Sequence, residues 1–159
     1  MSTKIKFGLL LVLLALTTGG IEIKHKISSE QILNLVNRDR TARGLSPLTL
    51  NPTLSLAALA KAEDMLSKNY FSHIAPDGTK PWFWMKTLGY NYVYAGENLA
   101  AGYTDPHELE SSWMASPSHR ANILSPLYSD TGVAVLQYND SVLIVQFFGN
   151  KAGQFSLNH

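Results

Sequence analysis

Thr131-Gly132-Val133-Ala134-Val135-Leu136-Gln137-Tyr138 and Ser141-Val142-Leu143-Ile144-Val145-Gln146-Phe147-Phe148-Gly149 decide the fold. Both are rich in β-branched and aromatic residues, and only Asn139-Asp140 separates them. They read as the two strands of a hairpin with a two-residue turn. Neither strand alternates apolar with polar. Ala134, Leu136 and Tyr138 share one face of the first, and Val133 and Val135 the other. Along the second, Val142, Ile144 and Phe148 oppose Leu143, Val145 and Phe147. A strand apolar on both faces must be covered on both. The expected class is α+β: a small antiparallel sheet between helices, a three-layer α-β-α sandwich.

Helices to supply those layers lie upstream. Ser28 with Gln31 forms a capping box, and Ile32, Leu33, Leu35 and Val36 follow as an apolar face. Arg38, Asp39 and Arg40 read as a solvated face, and Gly44 as the residue just past the helix. Ser46 to Leu50 reads as an extended connection, because the residue before Pro47 avoids the helical region. Asn51-Pro52 starts a second helix, whose many alanines imply close approach of another element. It should stop near Lys68-Asn69 and release Tyr70-Phe71-Ser72-His73 into a loop, with Pro76-Asp77-Gly78 as a turn.

A short helix from Pro81 to Gly89 carries Trp82, Phe83 and Trp84, which serve either as core or as a ligand platform. Tyr90 to Tyr94 reads as a short extended piece leading to Glu97, which sits between Gly96 and Asn98, where the backbone can turn tightly. Asp105-Pro106 opens a fourth helix with Glu108 in its first turn, Leu109 and Trp113 buried, and His107 and Glu108 exposed. Ser116-Pro117 ends it, and Ser118 is expected to cap a final short helix holding His119 and Asn122.

A chain of 159 residues suits one domain with a real core. Two of the 13 Lys and Arg fall in the first twenty residues, leaving 11 against 12 Asp and Glu, so no basic footprint for nucleic acid remains. With no cysteine, the chain has no disulfide frame, no thiolate metal site and no Cys nucleophile. Met1 to Gly20 resembles an export signal: Lys4 and Lys6 precede the apolar run Phe7–Leu16, and small residues follow. Since no further charge appears before Glu22, the segment is either a cleaved signal peptide or an N-terminal anchor, and the product is extracellular or held at the cell envelope.

Three groups suit site chemistry. His73 lies in a loop, Glu97 between apolar segments, and His119 in the first turn of a helix, where the dipole favours neutral imidazole. Two neutral imidazoles and a carboxylate match the protein ligands of an open zinc site, although the H-E-x-x-H spacing is absent. Each His could equally cap a backbone carbonyl. A buried Glu97 needs a partner, for which His is suited.

Many ordered motifs join these residues: Asn37-Arg38-Asp39-Arg40, Phe71-Ser72-His73 with Pro76-Asp77-Gly78, Gly96-Glu97-Asn98-Leu99-Ala100, Trp113-Met114, Ser118-His119-Arg120-Ala121-Asn122-Ile123-Leu124, Gly132-Val133-Ala134 and Gln146-Phe147-Phe148-Gly149. In them residues 28–150 resemble the CAP superfamily, or SCP domain, in its bacterial secreted branch, which fits the lack of cysteine. The resemblance divides the chain into a signal or anchor at 1–20, a linker at 21–27, the domain at 28–150 and a tail at 151–159. It implies an α-β-α sandwich whose cleft carries two His and two acidic residues, a set that holds a divalent cation in some members. His73, Glu97 and His119 match three of the four. Ser116 stands where the second Glu is expected, and Glu110 points from a different turn.

The expected ligand cleft is therefore His73, Glu97, Ser116, His119 and Asn122, with His73, His119 and Glu97 as the ligands of a divalent cation such as zinc. The resemblance favours a non-catalytic extracellular binding module for a divalent ion or for a small, cell-wall or membrane-derived ligand. The alternative is a peptidase or cell-wall hydrolase in which Glu97 orients His119 or His73 to activate water, or in which Ser116 or Ser118 is the nucleophile.

Overall fold

The computed structural model describes residues 27–139 and 141–151. The export segment, His25, Asp140 and nearly all of the tail lie outside the described residues. In chain order the elements are α1 (Ser29–Thr41), β1 (Thr49–Leu50), α2 (Pro52–Ser67), α3 (Trp82–Thr87), β2 (Tyr92–Ala101), α4 (Pro106–Ala115), α5 (Pro117–Ile123), β3 (Asp130–Tyr138) and β4 (Ser141–Lys151).

The hairpin pairs β3 with β4 antiparallel, with Ala134 opposite Val145 and Val133 opposite Gln146. Its two apolar faces go where the alternation places them. Ala134, Leu143, Val145 and Phe147 pack with Leu54, Ala57, Ala58, Ala62 and Met65 of α2 and with Trp84 and Met85 of α3. Val133, Val142, Ile144 and Phe148 pack on the other side with Ile32, Val36, Leu109, Trp113 and Ile123 from α1, α4 and α5. The sheet is thus sandwiched between helical layers, as expected. The alanines of α2 let it sit directly on β3: a Cβ at Gly132 would lie 2.1 Å from the Leu54 carbonyl carbon.

Local signals at the helix starts hold. Ser28 and Gln31 form the reciprocal box of α1. Asn51 Oδ1 accepts from the amides of Thr53 and Leu54, and Asp105 Oδ1 from those of His107 and Glu108, with a proline inside each helix start.

Several readings need correction. The sheet is mixed, in the order β1-β3-β4-β2, because Thr49–Leu50 pairs parallel with Asp130 and Thr131 where a mere connection was expected. Ile27, assigned to the linker, is buried in the second core cluster, and Lys151, assigned to the tail, ends β4. Ser116, not Ser118, is the N-cap residue of α5. Arg40 is not solvated. Its guanidinium donates to the carbonyls of Ser46 (2.9 Å), Ile123 (2.8 Å), Ser125 (2.8 Å) and Tyr128 (3.4 Å), tying α1 to the chain on either side of the helical layer. Arg38 beside it stays exposed.

Candidate functional site: a cleft at the edge strand β2

Glu97 lies in the middle of β2, opposite Phe147 of β4, and not at a tight turn. Gly96 is needed for another reason: a Cβ there would lie 2.6 Å from the Tyr128 hydroxyl and 2.8 Å from Asn122 Oδ1. That closeness follows from how the sheet edge is protected. Strand β2 is an outer strand, with carbonyls facing away from the sheet. Tyr128 OH donates to the Ala95 carbonyl (3.1 Å), Asn122 Nδ2 to that of Glu97 (3.0 Å) and Trp113 Nε1 to that of Leu99 (3.3 Å). Side chains of α4, α5 and the segment after α5 thus satisfy three successive outward carbonyls of the edge.

Strand alternation then sorts the site residues. Glu97 shares the side of Ala95 and Leu99, both packed with the α2 and α3 cluster. Asn98 points the opposite way, where its amide donates to the His119 carbonyl (3.3 Å) and its Oδ1 accepts from Asn122 (2.9 Å).

On the α2 side, His73 Nδ1 lies 2.6 Å from Glu97 Oε1. The Glu97 side chain is 2% exposed and that of His73 56% exposed, so a buried carboxylate holds an imidazole that faces solvent. Burial pushes Glu97 up to about 7, opposed by the His73 hydrogen bond and by the charges of His73 and Lys61. Its second oxygen, Oε2, is buried with no hydrogen-bond partner among the described residues. With Nδ1 engaged, the Nε2 edge of His73 is the one left for a ligand.

His119 comes from the other helical layer. Its ring centroid is 6.3 Å from that of Trp113, and it lies close enough to His73 for the two charges to interact. Its pKa is lowered, first by burial and then by His73, so its imidazole is neutral at pH 7. The direction is the one expected, but burial rather than the helix terminus is the leading cause.

A cavity of about 520 Å³ opens beside the His73–Glu97 pair, walled by Ile74, Lys80, Pro81, Trp82, Gly96 and Asn122 as well. Of the expected cleft residues it brings together His73, Glu97 and Asn122. His119 and Ser116 are not in its wall. The Ser116 hydroxyl lies 3.4 Å from that of Ser118. Among the described residues no three His, Asp or Glu side chains are arranged to hold a metal ion. Alternation along β2 turns Glu97 toward His73, whereas the His119 carbonyl is held by Asn98 on the other side.

The aromatic cluster divides between its two readings: Trp84 and Met85 are core, whereas Trp82 is half-buried in the cleft wall. Sequence reasoning missed Lys80 as a wall residue and Lys61 beneath the site. Lys61 had a signal: it falls in line with Leu54, Ala57, Ala58 and Met65 on the buried stripe of α2.

Solved structures of SCP-domain proteins superimpose on this three-layer sandwich. The model of the CAP family, the cysteine-rich secretory protein family, matches residues 33–148, and the chain belongs to that family. It is 41% identical over 120 residues to the uncharacterized protein YkwD of Bacillus subtilis, covering 76% of this chain and 46% of that protein. It is 32% identical over 108 residues to the uncharacterized membrane protein YlbC of the same organism, covering 68% and 31%. The chain thus spans less than half the length of these relatives. An extracellular SCP-domain protein of Bacillus anthracis superimposes with a TM-score of 0.70 at 29% identity, over 77% of this chain and 40% of that one. An outer surface protein of Borrelia burgdorferi gives 0.70 at 22%, over 80% and 98%, a likeness of fold alone. Among the described residues no helix is long and apolar enough to cross a membrane.

Proposed function

We propose that the chain is an extracellular or envelope-associated binding module whose cleft takes a small or wall-derived ligand without turning it over. One observation carries this reading. The cleft presents a single imidazole edge, His73 Nε2, fixed from behind by Glu97, and Asn122 beside it is engaged in holding the protein together. Asn122 uses both amide hydrogens on β2. Trp82, Pro81 and Ile74 supply an apolar wall and Lys80 a cation, a combination suited to a ligand with an apolar face and an acidic group. The extracellular descriptions of similar proteins support the location.

A divalent ion is the narrower form of this reading. It would be held by the two imidazoles, which lie near each other, with Glu97 behind His73. The hydrolase reading keeps one specific support: Glu97 behind His73 is the orienting half of a general-base pair, with water as nucleophile.

The test incubates the protein with peptidoglycan and a mixed peptide library, with and without chelator, beside His73→Ala and His119→Ala. Turnover lost in either variant overturns the binding-module reading. Absence of turnover, with a wall fragment raising the melting temperature of wild type but not of His73→Ala, supports it. A zinc-induced shift lost in both variants assigns the ion.

A further inference from the structure

Lys61 is fully buried on α2. Its ammonium donates to the hydroxyl of Tyr70 (3.0 Å) and to the backbone carbonyl of His73 (3.1 Å). It also stands 4.8 Å from the Tyr70 ring centroid and 4.6 Å from that of Trp84. Burial lowers its pKa, and the charge of Glu97 opposes that fall. An ammonium in a core is costly unless paired, and an apolar side chain of similar length would fill the same space with less penalty. What the ammonium adds over an apolar chain is a grip on particular acceptors, one of which is the main chain of a cleft residue.

The loop from Tyr70 to Thr79 needs that grip. Its outer end closes on itself, through Gly78 N to the Ala75 carbonyl (2.9 Å) and Thr79 N to Asp77 Oδ1 (2.9 Å). Lys68 joins it to α2 by bridging Asp77 (3.0 Å) and Asp64 (2.8 Å), but exposed pairs of this kind contribute little. Tyr70 OH donates to Asp64 Oδ2 at 2.6 Å. The main-chain tie at His73 itself is the one from Lys61.

We propose that Lys61 is a positioning residue for the cleft: it clamps the His73 carbonyl from below and so sets the imidazole against Glu97. The proposal rests on the His73–Glu97 pair being the working part of the cleft. Its test reads that pair directly, so a cleft that binds nothing leaves the outcome unaffected.

The experiment follows the downfield proton of the His73–Glu97 hydrogen bond by NMR in the full-length protein. Lys61→Met keeps the length and loses the ammonium. The chain has no cysteine, so Lys61→Cys, aminoethylated while unfolded and then refolded, restores an ammonium at that position alone. The expected result is loss of the proton signal in Lys61→Met, with core methyl shifts preserved, and its return in the aminoethylated protein. A signal in Lys61→Met at the wild-type position and width overturns the proposal, as does failure of the refolded ammonium variant to restore it. Should Lys61→Met not fold, wild type decides: coupling across the hydrogen bond from Lys61 Nζ to the His73 carbonyl carbon supports the clamp, and rapid exchange of the Lys61 ammonium protons with water overturns it.

Discussion

His73 Nδ1 meets Glu97 Oε1 at 2.6 Å although a loop carries one and the sheet's edge strand the other. A buried carboxylate with one partnered oxygen and one orphan depends on that partner. The pair therefore links the stability of the fold to the geometry of the cleft.

Removing the imidazole should expose that dependence. His73→Ala is expected to destabilise the protein by about 1–3 kcal/mol. The loss should be larger at pH 8, where Glu97 ionises without its partner, than at pH 5, where it stays protonated. Urea denaturation at the two pH values checks this, and equal losses would contradict it. Adding Glu97→Gln should recover most of the loss at pH 8.

Arg40 should prove one of the least replaceable side chains outside the cleft. Arg40→Met leaves the carbonyls of Ser46, Ile123, Ser125 and Tyr128 without their donor. The expected cost is about 3–5 kcal/mol. Arg40→Lys keeps the charge but not the fork and should fall between Met and wild type. Equilibrium unfolding ranks the three.

Gly132→Ala should push α2 off the sheet. Its Cβ would meet backbone atoms of Leu54 and Ser55, which cannot rotate away as a side chain could. A loss of about 3 kcal/mol, at the upper end for overpacking, is expected in thermal or urea melts. Ala134→Gly two residues along, on the same strand, should be milder.

The pH profile of stability should carry the mark of Glu110. This side chain of α4 is buried, and burial first, then Asp39 of α1, pushes it up to about 8, with Arg38 opposing. Neither of its oxygens has a hydrogen-bond partner among the described residues, which suits a carboxyl that keeps its proton. A pKa raised on folding means that the folded state binds more protons between the two values. Stability is then complete below about pH 4.5 and is lost as pH rises through about 8. The loss is on the order of a few kcal/mol. Glu110→Gln should flatten the part of the profile between about pH 4.5 and 8, and an unchanged slope there would contradict the assignment.

By itself the sequence determined whatever neighbouring residues decide among themselves. Ser28 with Gln31, Asn51 with Pro52, and Asp105 with Pro106 place three helix starts, since a cap acts within one turn. The alternation of Val133 to Leu136 against Val142 to Phe148 specified a sheet covered on both sides, because a strand's two faces can be read from its own residues. His73, Glu97 and His119 stood out by residue type and motif. Only the tertiary structure decided which distant groups meet. The parallel pairing of Thr49 with Asp130 bridges 81 positions, and Arg40 reaches Ile123 across 83, with no local pattern in either. It also decided which side of β2 each site residue occupies: Glu97 faces His73 and the α2 layer, whereas His119 is held by Asn98 on the other. The pleat of a single strand separates Glu97 from Asn98, because consecutive side chains must leave it on opposite faces.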